Sequence, residues 1–322
     1  MIEPGGDTLC ATGTPFRFHV RTGDPEKILV FLNGGGACWS GDLCDLSTSP
    51  TPYAPFSEME SNDPRLLQGV LGPARADNPF SGWTQIFVPY CTGDAHLGAR
   101  DVTYQTTSGA DVTIHHRGKA NVQAALDWLY ENHSAPARIF VTGGSAGGIA
   151  SPYYAGLVAE RYASADIVQL ADGSGGYRAP GIAAVLETWG AFDNVPDWPE
   201  FGAIDRSAAT TEDYFRITAA RHPDVQLARF DNVDDSVQQD FLGLLGVTGP
   251  VRPLLAANNA DLAADIPGIA TFAAAGDAHT ALRYDRVYTE EADGVLLKDW
   301  IAQLAEGAAP RSVSCETNAA CD

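Results

Sequence analysis

The sequence is poor in positive charge and has no long hydrophobic run. It contains 20 lysine and arginine residues against 41 aspartate and glutamate residues, so its formal net charge at pH 7 is −21. The acidic residues are spread along the chain, and such a chain is repelled by nucleic acid and by anionic membrane surfaces. No apolar run approaches the length of a membrane span. We therefore expect no nucleic-acid partner and no membrane-spanning segment.

The cysteines and histidines lack the spacing of a metal site. We expect neither a metal nor an organic cofactor, and we expect structural or surface roles for His19, His96, His115, His116 and His133.

An even number of cysteines without metal spacing favours disulfide bonds, which form in oxidising compartments. The chain begins without an apolar signal stretch, so we expect the mature form of a secreted or periplasmic protein, with the leader absent from this sequence. The expected bridging residues are Cys10, Cys38, Cys44, Cys91, Cys315 and Cys321.

Nothing in the sequence divides the chain into modules. Its 322 residues, 45% of them hydrophobic, can bury a full-sized core, and no linker, repeat or low-complexity tract interrupts them. We expect residues 1–322 to form one domain and the protein to be a monomer.

The segment 40–83 is rich in Pro, Ser, Asp and Gly, and the segment 188–213 is broken by prolines. We expect both to be excursions that wall a substrate cleft.

Short apolar runs alternate with helical patterns along the chain. The near-continuous apolar character of the runs indicates buried strands of a largely parallel sheet. The predicted strands are Ile28–Asn33, Ile86–Pro89, Arg138–Thr142, Ile167–Ala171, Val225–Phe230 and Ile269–Ala275, and the predicted helices are Ala120–Asn132, Gly148–Arg161 and Val295–Leu304. This alternation predicts an α/β chain with a three-layer fold around a mostly parallel central sheet.

One serine lies in the pattern of a nucleophile elbow. The predicted strand Arg138–Thr142 runs into Gly-Gly-Ser-Ala-Gly at 143–147 and then into a helix, which is the context that a Gly-x-Ser-x-Gly motif requires. The glycines allow a cramped turn, and the helix N-terminus favours negative charge beside the serine. An ordinary glycine-rich turn is the alternative, so the flanking strand and helix carry the prediction that Ser145 is a nucleophile.

A second glycine run follows the predicted strand Ile28–Asn33. Backbone N–H groups in such a run can face a cavity and bind an oxyanion, together with the N–H of the residue after the nucleophile. We expect Gly35, Gly36 and Ala146 to be these donors. A phosphate-binding loop is the rival interpretation, but the Lys-Ser/Thr pair that completes such a loop is absent.

A serine nucleophile also needs a histidine base, which follows the acid in the chain order of this fold. Two histidines come after Ser145. His279 follows the predicted strand Ile269–Ala275, where a loop at the sheet edge can carry it to the serine. His222 lies at a helix end, which is the usual place of a solvated or capping histidine. We choose His279 as the base.

Several aspartates lie in the part of the chain where the acid is expected. Asp231 directly follows the predicted strand Val225–Phe230, at the end from which such acids emerge. We choose Asp231, with Asp277 and Asp235 as the alternatives.

Five stretches of the sequence carry a family pattern. At these stretches the sequence resembles the pectin acetylesterase and Notum family of serine hydrolases: Leu32 to Cys44, Val88 to Asp94, Gly143 to Gly148, Leu170 to Gly173, and Arg229 to Val233 followed by Gln238. The resemblance implies an α/β-hydrolase that cleaves carboxylic esters with a Ser-Asp-His triad at Ser145, Asp231 and His279. It also implies the bridges Cys10–Cys91 and Cys38–Cys44, which leaves Cys315 and Cys321 to pair.

These observations predict a secreted serine carboxylic-ester hydrolase that works through an acyl-enzyme. We expect it to deacetylate an O-acetylated polysaccharide or to cleave a related acyl ester. The alternatives are a polyester or lipid-acyl esterase, an amidase or peptidase, and a non-catalytic binding protein with the same fold.

A polygalacturonate substrate is repelled by a charge of −21 unless calcium or a basic patch intervenes, and Arg100 and Arg117 are candidates for that patch. Aromatic residues of the excursions could line the cleft or pack onto the core: Trp39, Phe80, Trp83, Trp189, Phe192 and Trp198.

Overall fold

The computed structural model describes residues 1–47, 51–72, 75–318 and 321, and its centre is a β-sheet. The strands are β1 (His19–Arg21), β2 (Asp24–Leu32), β3 (Trp83–Val88), β4 (Arg100–Gln105), β5 (Asp111–His116), β6 (Arg138–Gly144), β7 (Asp166–Asp172), β8 (Gln226–Asn232), β9 (Ala270–Ala274), β10 (Glu291–Ala292), β11 (Val295–Leu296) and β12 (Val313–Ser314). Within the described residues, eight strands form the main sheet in the order β1-β3-β2-β6-β7-β8-β9-β12. Only β1 runs antiparallel to its neighbour, so the predicted mostly parallel sheet is confirmed.

Helices connect the parallel strands, as the alternation in the sequence predicts. They are α1 (Gly41–Cys44), α2 (Gly118–Asn132), α3 (Ala146–Arg161), α4 (Ile182–Trp189), α5 (Pro199–Gly202), α6 (Asp213–Arg221), α7 (Ser236–Leu244), α8 (Val251–Asp265) and α9 (Leu297–Ala305), with 3-10 turns at Glu60–Asn62, Gly69–Leu71, Asp285–Tyr288 and Cys315–Asn318. The predicted helices correspond to α2, α3 and α9. The predicted strand Val225–Phe230 is β8, which continues two residues further, to Asn232.

The sheet separates two hydrophobic cores, which makes the fold three-layered. Successive side chains of a strand point to opposite faces, and β2 divides its apolar residues accordingly. Val30 and Leu32 lie in the core that α3 and α4 cover. Leu29 and Phe31 lie in the core that contains Trp300 of α9. The active-site candidates described below lie at the carboxyl edge of this sheet, where ligands bind in folds of this class.

The two predicted excursions have little regular structure. The first contains α1 and two of the 3-10 turns, and its residues 48–50 and 73–74 lie outside the described residues. The second contains the last residues of α4, and α5 with the loops around it. A separate two-stranded hairpin, formed by β4 and β5, lies beyond the main sheet. Among the described residues, the structure has no helix that combines the length and the apolar character needed to cross a bilayer.

The six cysteines form three disulfide bonds, as predicted. Cys10–Cys91 ties the N-terminal segment to the turn after β3, and Cys38–Cys44 closes the loop after β2. The third bridge, Cys315–Cys321, lies near the C-terminal end of the sequence.

Candidate active site

Ser145 occupies a sharp turn between β6 and α3. Its backbone has φ 55° and ψ −121°, a conformation that residues with a side chain rarely adopt and that often marks functional sites. The Ser145 N–H donates to the backbone oxygen of Asp172 at the end of β7, at 2.7 Å. A glycine is required at 147 because a Cβ there would lie 2.0 Å from the backbone oxygen of Leu32. The turn therefore holds the serine at the edge of the sheet, as the motif predicts.

The glycine run after β2 lies against this elbow. Gly36 has φ +77°, and a Cβ on it would lie 1.8 Å from the backbone oxygen of Pro52. The N–H of Ala37 donates to Pro52 and the carbonyl of Gly35 accepts from Ala54, so the Gly36 N–H takes no part in this pairing. Ala146, the first residue of α3, has an N–H that no helical carbonyl can accept. Gly36 and Ala146 both line the pocket that contains Ser145.

Buried polar side chains fix the start of this glycine run. The amide of Asn33 donates to the side-chain oxygen of Asn62 at 2.8 Å, and its backbone oxygen accepts from Nε2 of His96 at 2.8 Å. Burial lowers the pKa of His96 to about 4, so the ring is neutral at ordinary pH. His96 therefore has a structural role, as predicted for it.

His279 is paired with Asp235. Nδ1 of His279 lies 2.7 Å from Oδ2 of Asp235, and the Asp235 side chain is fully buried. Nε2 of His279 is buried and has no hydrogen-bond partner among the described residues. The histidine loop touches the elbow, because a Cβ on Gly144 would lie 3.1 Å from Cγ2 of Thr280. The loop that carries the His279–Asp235 pair therefore packs against the elbow of Ser145 at one edge of the sheet.

The choice of Asp231 as the partner of His279 is corrected to Asp235. Because β8 runs to Asn232, Asp231 is still inside the strand, where its carboxylate accepts from the N–H of Gly175 and from Gln238. Asp235 lies after the end of the strand and caps the N-terminus of α7. Its Oδ1 accepts from the N–H groups of Val237 and Gln238. Its other oxygen, Oδ2, contacts Nδ1 of His279 and also accepts from Nε2 of Gln238. The alternative Asp277 is exposed.

Asp172 joins the serine elbow to the histidine loop, and sequence reasoning did not single it out. Its backbone oxygen accepts from Ser145, while its carboxylate accepts from the N–H groups of Ala281 and Leu282 at 2.8–3.0 Å. Complete burial raises the pKa of Asp172 to about 7. The signal available in the sequence was its position at the end of a predicted strand, inside one of the stretches that carry the family pattern.

An apolar pocket opens beside Ser145. It contains about 530 Å³ of empty space, part of it open to solvent. Two of the six aromatic residues singled out in the excursions line it, Trp39 and Trp189, and the indole N–H of Trp189 donates to the backbone oxygen of Cys38 at 2.8 Å. The full lining is Gly36, Ala37, Trp39, Ala95, Ser145, Ala146, Ile149, Tyr177, Ile182, Val185, Leu186, Trp189, Thr211, Phe241 and Leu245.

The other four aromatic residues pack inside the protein. Phe80 contacts Trp83 and Phe140 beneath the sheet. Phe192 stacks on Tyr214, and Trp198 stacks on Phe201. Both interpretations of the excursion aromatics therefore hold, each for part of the set.

Arg100 and Arg117, the candidates for a basic patch, both pair with carboxylates. Arg100 pairs with Glu187 and Asp193, and Arg117 pairs with Asp101. The guanidinium charges are therefore already neutralised by carboxylates of this chain. Within the described ranges, no group of three or more His, Cys, Asp or Glu residues is arranged to hold a metal ion.

A mostly parallel sheet with helices on both faces, and a serine elbow at its carboxyl edge, define an α/β-hydrolase-type protein. A family profile described as pectinacetylesterase matches residues 4–180, more than half of the chain. The chain belongs to this family, which confirms the resemblance and indicates a hydrolase of the carboxylesterase type.

Related proteins extend this comparison. The chain is 29% identical over 146 residues to a protein named palmitoleoyl-protein carboxylesterase NOTUM from Schmidtea mediterranea; the match covers 44% of this chain but only 26% of that relative. It is 31% identical over 108 residues to the "inactive palmitoleoyl-protein carboxylesterase notum1b" of Danio rerio, covering 33% and 76% of the two chains. A solved structure of the Wnt deacylase Notum from Drosophila has the same fold, with a TM-score of 0.65 over 96% of this chain and 93% of that one at 16% identity.

Proposed function

We propose that this protein is a secreted serine carboxylesterase that hydrolyses esters of apolar acyl groups through an acyl-enzyme on Ser145. The observation that carries the proposal is an apolar pocket that begins at a serine on a strained elbow, against which the loop of His279 packs. The family membership supports the reaction class. The three disulfide bonds support an oxidising, extracytoplasmic compartment.

In the proposed acylation step, Nε2 of His279 takes the proton of Ser145 as the serine oxygen attacks the ester carbonyl. Asp235 accepts the Nδ1–H of His279, which fixes the tautomer and stabilises the imidazolium that forms. The proton then passes from Nε2 to the departing alcohol. Water, activated by the same histidine, hydrolyses the acyl-enzyme and releases the acid.

The negative charge that develops on the carbonyl oxygen needs donors beside Ser145. The N–H of Ala146 at the start of α3 and the N–H groups of Gly35 and Gly36 are proposed for this role, as the sequence predicts. The support for Gly36 and Ala146 is that both line the pocket with Ser145, and that the pairing of Gly36 with Tyr53 leaves the Gly36 N–H unused.

The pocket favours a longer acyl chain over an acetyl group. Its walls are almost entirely hydrocarbon and aromatic surface, which gains free energy from each methylene that leaves water. The names of the planarian and zebrafish relatives refer to a palmitoleoyl group, and the chemistry of the pocket suits an acyl group of that kind here as well. Deacetylation of a polysaccharide remains the second candidate, and the test below separates the two.

The test begins with labelling by a fluorophosphonate, followed by mass spectrometry and peptide mapping. We expect one adduct, on Ser145, and no adduct in Ser145→Ala. Hydrolysis of p-nitrophenyl esters is then measured from acetate to palmitate. For each methylene that the pocket buries, kcat/KM should rise by up to about fourfold.

Two phenylalanine variants on α4 sharpen this test. Val185 lines the pocket, whereas Ala184 is exposed on the same helix. Val185→Phe should lower kcat/KM for long esters and spare the acetate, while Ala184→Phe should change neither. A preference for acetate in the unmodified protein would favour polysaccharide deacetylation. No adduct on Ser145 would favour a non-catalytic binding protein, a possibility made concrete by the relative whose name calls it inactive.

A further inference from the structure

Gln238 lies between two buried carboxylates of the candidate site. Its Nε2 donates to Oδ1 of Asp231 and to Oδ2 of Asp235, both at 2.9 Å. The side chain is fully buried in the third position of α7. The oxygen of Asp235 that Gln238 contacts is the same one that His279 contacts. Gln238 therefore contacts Asp235, the carboxylate that pairs with His279, rather than the reacting atoms of Ser145 and His279.

The orientation of the Gln238 amide is fixed by its surroundings. Its Oε1 accepts from the N–H of Gly176 at 2.6 Å. If the amide were reversed, its oxygen would face two carboxylates and its NH₂ group would face the Gly176 N–H. Both contacts would be repulsive. The backbone at 176 therefore directs the amide protons toward Asp231 and Asp235.

Asp231 is the second carboxylate that Gln238 contacts. Its Oδ1 accepts from the N–H of Gly175 at 2.8 Å as well as from Gln238, while its Oδ2 is buried and has no hydrogen bond to any described residue. Complete burial raises the pKa of Asp231 to about 6, and the nearby Arg229 opposes that rise. Arg229 is itself buried and paired with Glu212 at 3.0 Å. Asp231 thus accepts from the same amide nitrogen of Gln238 that donates to Asp235.

We propose that Gln238 is a positioning residue that, with Asp231 behind it, holds the Asp235 carboxylate in the orientation that His279 requires. This inference rests on the proposed function. Gln238 joins the two carboxylates through one amide nitrogen and reduces the repulsion between them. Without that donor, Asp235 would keep its N-cap hydrogen bonds through Oδ1, but Oδ2 would be held only by the histidine.

The positioning role of Gln238 can be tested in the pH profile of kcat/KM, because the charges of Asp231 and Asp235 act on His279. Removing the Gln238 donor leaves more negative charge facing His279, so the acidic limb of kcat/KM should move to higher pH. Removing the Asp231 charge should move that limb to lower pH. The charged and titratable groups around the cluster are Asp172 at the end of β7, Tyr177 in the following segment, Arg229 in β8, Glu212 before α6 and Arg286 beside the carbonyl of His279.

The experiment compares Gln238→Met with Gln239→Met. Gln239 is the adjacent glutamine of α7, and its amide donates to the backbone oxygen of Gly249 and accepts from the N–H of Val251. For Gln238→Met we expect a loss of about 10- to 100-fold in kcat, the effect of losing one hydrogen bond to a charged group, with little change in KM. Gln239→Met should keep the rate and the pH profile. Gln238→Leu removes the same donor and replaces the methionine variant if that one does not fold.

A measurement that needs no activity separates this inference from the proposed function. The proton between Nδ1 of His279 and Asp235 should give a far-downfield proton NMR signal in the unmodified protein. We expect this signal to shift or vanish in Gln238→Met and to stay in place in Gln239→Met. An unchanged signal, or its absence from the unmodified protein, overturns the positioning role. So does an unchanged pH profile in Gln238→Met and Asp231→Asn. A protein that hydrolyses no ester but shows the expected signals refutes the esterase proposal alone.

Discussion

The two ring nitrogens of His279 have different surroundings. Nδ1 is hydrogen-bonded to a fully buried carboxylate, while Nε2 is buried and has no hydrogen-bond partner in the part of the chain that the structure describes. This asymmetry suits a base that must keep one tautomer and exchange a proton at one nitrogen only. At the scale of single residues, the site therefore depends on whether Asp235, rather than another aspartate, orients the ring.

Asp235→Asn should lower kcat/KM by about 10⁴-fold, the scale of loss when a triad acid becomes an amide. An asparagine can present an N–H to Nδ1, which favours the wrong tautomer of His279. Steady-state ester hydrolysis measures the loss. Asp277→Asn is the matched control, because Asp277 is exposed and precedes the histidine by two residues. A larger loss in Asp277→Asn than in Asp235→Asn would contradict the assignment.

The sequence predicts the residues of the site whose signals are local. Ser145 is found because a strand, a glycine-bounded turn and a helix are contiguous, and His279 because few histidines follow the serine. The acid depends on where β8 ends, and sequence patterns locate strand ends poorly. A usable signal was present nevertheless. Asp235 and Gln238 have the spacing of an N-cap residue and its N3 partner, which predicts a helix start at Ser236.

At the scale of elements, one lysine attaches the second excursion to the rest of the fold. Lys119, in α2, is 7% exposed, and its Nζ donates to the backbone oxygens of Ala191 and Asp193 at 2.8 and 2.5 Å. These residues directly follow α4, which supplies Trp189 and Val185 to the pocket. The lysine therefore helps to set the position of the pocket wall. Sequence patterns predicted the excursion but not this attachment, because it joins residues more than seventy positions apart.

Lys119 should make the stability of the protein depend on pH. Burial lowers its pKa to about 7, while an unfolded lysine keeps its proton to about pH 10. Between these values the unfolded chain binds more protons, so the contribution of Lys119 makes the free energy of unfolding rise with pH, by up to about 1.4 kcal/mol per unit. Below about pH 7 the lysine is protonated in both the folded and the unfolded state, so Lys119 no longer makes the stability depend on pH.

Urea denaturation between about pH 7 and about pH 9 measures this effect as a difference between proteins. The unmodified protein should gain stability relative to Lys119→Met as pH rises. Lys27→Met provides the control, because Lys27 is exposed in β2. A constant difference between the unmodified protein and Lys119→Met across this range would show that the buried ammonium group is not under strain from desolvation.

At the scale of the whole molecule, the disulfide bonds constrain very different lengths of chain. Cys10 and Cys91 are 81 residues apart, whereas Cys315 and Cys321 are 6 apart. A crosslink removes more entropy from the unfolded chain when it closes a longer loop. The N-terminal segment is thereby fixed against the turn after β3, close to the buried polar cluster around His96. The bridge therefore supports the glycine run indirectly.

Replacing both cysteines of a bridge by alanine should cost about 4.5 kcal/mol for Cys10–Cys91 and about 2.4 kcal/mol for Cys315–Cys321, from loop length alone. Chemical denaturation of the two double variants gives both values. Equal losses would show that loop length does not govern the contribution of these bridges. The same curves test the single-domain prediction, because one cooperative domain unfolds in one transition.

The long bridge also bears on how the chain matures. During synthesis Cys10, Cys38 and Cys44 emerge before Cys91 exists, so the native partner of Cys10 is missing while two wrong partners are within reach. Closing Cys38–Cys44 early, within a six-residue separation, removes both wrong partners at once. The order in which the bridges form then decides whether a thiol–disulfide isomerase is needed to produce the native protein.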